Sequence, residues 1–319
     1  MSEPYEALYN RILDVTAIIN TPIKIFVMVI VVRCSTPAMR SFSLLLLNGL
    51  FWNFMANFIF VFLHIYPLFP AECFQADGLI SLVTDSETVG HVMFCVLFFC
   101  ILNGILSFSF TFPYRYMVFA HPLTVDKIKR TWIVLFCIGV HVVTAIFFIY
   151  LYSFWVVHSP EYLILKEEQE IGAVFCFKAY GPDKENMLAF YLLILSVAAV
   201  IGLGSTILLL LSIRRASLVC NNNIYLQSHK RILWTLIWIT CIPLFLGVLP
   251  LTAALVIAVN PQIPNARPIG MVCAVMMSNH GTVYAIALIV AIKPYRVAVQ
   301  QIFRSILAPN VVSGLVISS

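Results

Sequence analysis

Apolar positions come in long unbroken runs, separated by short clusters of charge. No Asp, Glu, Lys or Arg occurs between Arg40 and Glu72, Glu87 and Arg115, Arg130 and Glu161, Glu185 and Arg214, Arg231 and Arg267, or Arg267 and Lys293. These runs hold 31, 27, 30, 28, 35 and 25 residues. A transmembrane helix needs about 20 apolar residues, so each run suffices for one span and none comfortably holds two. A seventh segment, Ile12 to Val32, is apolar apart from Asp14 near one end and Lys24 inside it. The pattern predicts seven helices, with approximate limits 12–32, 42–68, 89–112, 132–155, 187–213, 233–258 and 269–292. Strands of a membrane barrel would alternate apolar and polar residues. Leu44 to Leu47 and Leu208 to Leu211 do not alternate. In lipid, a continuous apolar run satisfies its backbone only as a helix.

Beyond the seventh run, Val299, Ile302, Phe303, Ile306 and Leu307 fall on one helical stripe, with Gln300, Gln301 and Arg304 off it. This predicts a short helix over about 296–307 lying in the membrane interface. Residues 1–307 then form a single seven-helix domain and 308–319 a cytoplasmic tail. Basic residues set the orientation, because Lys and Arg accumulate on the cytoplasmic side. The segments after helices one, three, five and seven carry 13 of the 19 basic residues, the opposite side five, and Lys24 lies within a span. Among the acids, only Asp126 falls on the basic side. The N-terminus is expected outside and the C-terminus inside. The acidic start, Glu3 to Glu6, lacks the basic region of a signal peptide, so helix one is expected to begin insertion.

Composition narrows the function. The chain is 61% hydrophobic and 10% charged, where a soluble domain has about a quarter charged residues. A net charge of +5 spread this thinly does not suit a nucleic-acid binder. Nine cysteines at irregular spacing, with no C-x-x-C pair, point to neither a metal site nor a disulfide scaffold. No H-E-x-x-H, G-x-S-x-G or paired intramembrane carboxylates occur, so no enzyme activity is expected, and no cofactor. A retinal protein would need a Lys in helix seven, and 269–292 has none. One function class open to a seven-helix chain, kept as the alternative reading, is a transporter or channel. That reading predicts charged relays or inverted repeats, and the spans contain one lone Lys and no repeat.

Several short motifs then occur in a fixed order: Thr36-Pro37-Ala38-Met39 after helix one, Leu46-Leu47-Asn48 and Phe51-Trp52 in helix two, and Pro67 and Pro70 at its end. Helix six contains Ile242-Pro243, and helix seven ends in Lys293-Pro294-Tyr295-Arg296. From about residue 12 to 300 the chain resembles the nematode serpentine chemoreceptors, most closely class H. The resemblance implies a G-protein-coupled receptor in the plasma membrane of a sensory cell. It would detect a small, hydrophobic molecule and signal to a heterotrimeric G protein. The chain departs from the family pattern at Leu50, where a His is usual, and at Asn57, where an Asp is common. At the inner end of helix three Glu-Asn-Arg is replaced by Pro113-Tyr114-Arg115.

For a ligand, the candidate contacts are Phe98, Phe99 and Asn103 on helix three, Trp238 on helix six, and Asn279 and His280 on helix seven. For the aromatics, plain packing is the alternative. Asn side chains commonly glue transmembrane helices, which is their default role, and Asn48 could face the Asn279-His280 pair in a polar centre. Lys24 is expected to rest against carbonyls or Asn side chains, since no intramembrane acid exists to pair with it. Arg115, Arg214, Arg215, Lys230 and Arg231 are the candidates for facing the G protein. Cys73 and Cys176 share the outer side, where thiols oxidise, and are the candidate disulfide, with Cys95 a rival partner for Cys176. Cys220 is a palmitoylation candidate or an ordinary thiol. Trp52, Trp132 and Trp155 suit the membrane interfaces. Pro243 and Pro250 mark a weak point in helix six.

Overall fold

The computed structural model describes residues 4–84, 86–125, 127–158, 173–219, 238–239 and 241–307. Seven helices among them are long and apolar enough to cross a membrane. They are α1 (Pro4–Cys34), α2 (Arg40–Leu63), α3 (Glu87–Ala120), α4 (Arg130–Trp155), α5 (Pro182–Val219), α6 (Cys241–Val259) and α7 (Ala266–Ala291). A further helix, α8 (Lys293–Leu307), follows. Lys230, Arg231, Cys220, Trp234 and the tail 308–319 lie outside the described residues.

Helix two is shorter than its apolar run suggests. His64 takes a left-handed conformation (φ 41°) and ends α2, with its N–H donating to Phe60 O at 2.9 Å. The chain then turns into strand β1 (Ile65–Pro67), which pairs with β2 (Cys73–Ala76). Strands β3 (Val156–Val157) and β4 (Ala173–Phe177) complete an antiparallel sheet of order β1-β2-β4-β3 across one end of the bundle. Cys73 and Cys176 are register partners in β2 and β4 and are joined by a disulfide. Cys95 is a free thiol on α3.

α3 is the central helix. It packs most extensively on α2 and α5, whereas α4 lies at the periphery. At 34 residues, α3 spans about 50 Å at 1.5 Å per residue, longer than the hydrocarbon core of about 30 Å. It runs through Pro113 without ending. Phe94, Leu97 and Leu102 of α3 form the core with Phe148 of α4 and Tyr191 of α5. Lipid offers no hydrophobic driving force between helices, so this packing and the interhelical hydrogen bonds hold the bundle together.

At the other end, Tyr295 of α8 is fully buried. Its hydroxyl meets Ser35 Oγ at 3.0 Å and Ser43 Oγ at 2.9 Å. That contact ties the start of α8 to the α1–α2 junction. Of the three tryptophans expected at interfaces, Trp132 is exposed, Trp155 stacks on Phe177 beneath the sheet, and Trp52 packs edge-on to Phe99.

Candidate ligand site

Beneath the sheet lies a cavity of about 290 Å³, walled by α2, α3, α5, α6 and α7. This volume is close to the lower end for small-molecule sites. Its roof comes from the sheet and the β1–β2 loop, through Ile65, Pro67, Phe69, Glu72 and Phe74. Three aromatic rings knit the roof to α3: the Phe94 centroid lies 4.8 Å from Phe74, 5.3 Å from Phe175 and 5.2 Å from Phe177. Glu72, itself at positive φ (52°), makes a buried ion pair with Lys184 of α5. Burial pushes the Glu72 carboxyl above its ordinary pKa, and the Lys184 ammonium pulls it back only in part.

The walls are mainly apolar. Gly104 of α3 faces the open space, and a Cβ there would meet nothing within 4 Å. Polar groups gather at one side, where three helices meet. Lys24 Nζ on α1 donates to Asn53 Oδ1 on α2 at 2.6 Å. Asn53 Nδ2 lies 3.1 Å from His280 Nε2, and His280 Nδ1 lies 2.6 Å from Met277 O. One proton assignment satisfies all three bonds: Nδ1–H donates to the Met277 carbonyl, leaving Nε2 to accept from Asn53. A neutral imidazole thus faces the cavity, with the buried ammonium one carboxamide behind it. Gly281 makes room for this chain, because any Cβ there would run into the Asn53 carboxamide. Asn57, another wall residue, donates to Ser278 O.

Of the six ligand candidates, Phe98 and His280 line the cavity. Phe99 turns away, toward Trp52 and Phe148. Asn103 is occupied by Phe99 O at 2.7 Å and by His141 of α4. Asn279 donates to Val275 O at 2.9 Å and accepts from Asn20 at 3.2 Å. Trp238 is 66% exposed on the outside of the bundle. The expected meeting of Asn48 with helix seven does not occur. Asn48 instead bonds Ser107 at 2.8 Å, His141 at 3.1 Å and Trp52 at 3.0 Å, on the α3–α4 side. It is Asn53 that reaches His280.

The model of the serpentine type 7TM GPCR chemoreceptor Srh family matches residues 5–305. The chain belongs to the Srh chemoreceptor family. No curated protein matches it significantly. Among solved structures, the crystal structure of squid rhodopsin superposes with a TM-score of 0.64 at 15% identity, covering 97% of this chain and 89% of that one. At that identity the likeness shows the shared seven-helix fold.

Most of the described basic residues of the Srh chain lie at the end opposite the sheet. Arg214 and Arg215 are exposed on the last turns of α5. Arg115, another candidate for facing the G protein, lies inside the bundle. It is buried against the Phe42 ring, 4.9 Å from its centroid, with the Tyr284 side chain of α7 as its polar neighbour. Its Nε and Nη1 have no partner among the described residues. Spacing along the chain does not reveal this inward placement, which depends on Phe42 of α2 and Tyr284 of α7 converging on α3. Neither the sheet roof nor the role of Gly104 stands out in the sequence. The signals available for them were the Cys73 and Cys176 flanks of short β-prone segments and a Gly within an apolar helix.

Proposed function

We propose that this Srh chain is a plasma-membrane chemosensory receptor with its sheet outside and its basic end in the cytoplasm. It detects a small, mainly hydrophobic molecule and signals to a heterotrimeric G protein. The cavity supports this reading most directly: an apolar space of ligand size, bounded by five helices and edged by one connected polar chain. Ligand bound there acts by preferring one arrangement of α3, α6 and α7, and shifts the population toward it. α6 is the wall suited to move. Leu244–Val248 forms a π-turn in which the Leu249 N–H donates to Leu244 O, and Pro243 and Pro250 flank it. Rearrangement at α7 would release Arg115 from Tyr284 and present it, with Arg214 and Arg215, to an acidic partner. The test is a screen of small hydrophobic molecules on cells expressing the chain, read as G-protein activation and as ion flux. Ligand-evoked G-protein activation supports the receptor, and ion flux without it supports the transporter or channel alternative.

A further inference from the structure

The cavity has tied walls and one loose seam. Its roof is fastened to α5 by Glu72–Lys184, to α4 by the Trp155–Phe177 stack at 4.2 Å, and to α1 by Tyr9 donating to Ile65 O at 3.0 Å. Arg267 of α7 lies 4.1 Å over the Tyr66 ring and bonds Glu6 of α1 at 2.9 Å. α3 packs along α2 and α5, and α6 packs along α7. Between α5 and α6 there is no comparable link among the described residues. The two helices scarcely approach each other, although both line the cavity. Leu203 of α5 lines the cavity and is still 45% exposed. The cavity face of α6 is partly small, with Gly247, Ala254 and Ala258.

We propose that the cavity is reached from the bilayer, through the seam between α5 and α6, and that its ligand is a lipophilic molecule that first dissolves in the membrane. This inference rests on the reading of the cavity as the ligand site. Opening the roof from the water side would separate a buried ion pair and an aromatic cluster pinned by a disulfide. Opening the seam displaces only apolar side chains beside a helix that already carries a π-turn. Partition favours the same path, because each CH₂ added to a molecule raises its bilayer concentration about fourfold.

Cys100, a buried free thiol, lines the cavity and reports on access without any knowledge of the ligand. The receptor in lipid nanodiscs would be treated with N-octylmaleimide, which enters the bilayer, or with a sulfonated maleimide confined to water. Labelling of the Cys100 peptide would be timed by mass spectrometry. The octyl reagent is expected to label roughly tenfold faster or more, the order that its partition permits. Leu203→Trp should slow that labelling, Leu203→Ala should hasten it, and Val283→Trp, at an exposed site on α7, should leave it unchanged. If Leu203→Trp does not fold, Leu203→Ala alone decides. Equal rates for the two reagents, no labelling by either, or indifference to residue 203 would each overturn the proposal. Labelling measures access whether or not the chain signals, so its failure is distinct from a failure of the receptor reading.

Discussion

Lys24 is held inside the bundle by one carboxamide, and the consequences of losing either partner differ. Asn53→Leu leaves a buried ammonium without its acceptor, which costs about 2–3 kcal/mol as the loss of a charged hydrogen bond. Lys24→Met removes the charge itself and leaves only a neutral carboxamide oxygen unmet, about 1–2 kcal/mol, offset by the charge no longer being buried. Thermal unfolding in nanodiscs should therefore show a clearly larger fall in Tm for Asn53→Leu than for Lys24→Met. The double variant should be more stable than the sum of the two single losses predicts. Equal and additive losses would show that the pair is not coupled. That Lys24 needs an Asn or carbonyl partner follows from the sequence, but Asn53, not Asn48, reaches the polar centre. Asn48 and Asn53 differ by about 140° of helical rotation. Helix two is apolar nearly all round, so its sequence carries no stripe from which to read which of them faces α7.

At the scale of elements, α6 is the wall with the least regular backbone. Pro250 supplies no N–H, and the π-turn before it displaces the helical bonds by one residue. Backbone amides of Leu244–Val248 should therefore exchange hydrogen faster than those of α3 around Leu102, which is fully buried. Pro250→Ala restores a donor and should raise Tm while lowering the maximal ligand response. A variant with unchanged exchange and full response would remove α6 from the mechanism. The helices were legible because charge-free runs of 25 residues or more have one solution in lipid. The sheet was not. Its strands are two to five residues long, and its central pairing joins Cys73 to Cys176, 103 residues apart. Neither local alternation nor a tight turn marks such a pairing.

The whole molecule is a seven-helix receptor of the Srh family with a roofed apolar cavity. Topology and family could be read from gaps between charges and from ordered motifs. The cavity could not, because its wall residues are ordinary apolar side chains whose convergence depends on how each helix is turned. Gly104 offers the most direct test that this cavity is the ligand site. It sits on the buried face of α3, where an added Cβ meets nothing within 4 Å, so Gly104→Leu projects its side chain into the cavity, and leucine favours the helix by roughly 1 kcal/mol over glycine. Once an activating molecule has been found, its dose–response would be measured on the wild-type chain and on Gly104→Leu at equal surface expression. The variant is expected to keep or gain thermal stability and to lose the response. A variant that is folded, expressed and activated with unchanged potency would contradict it.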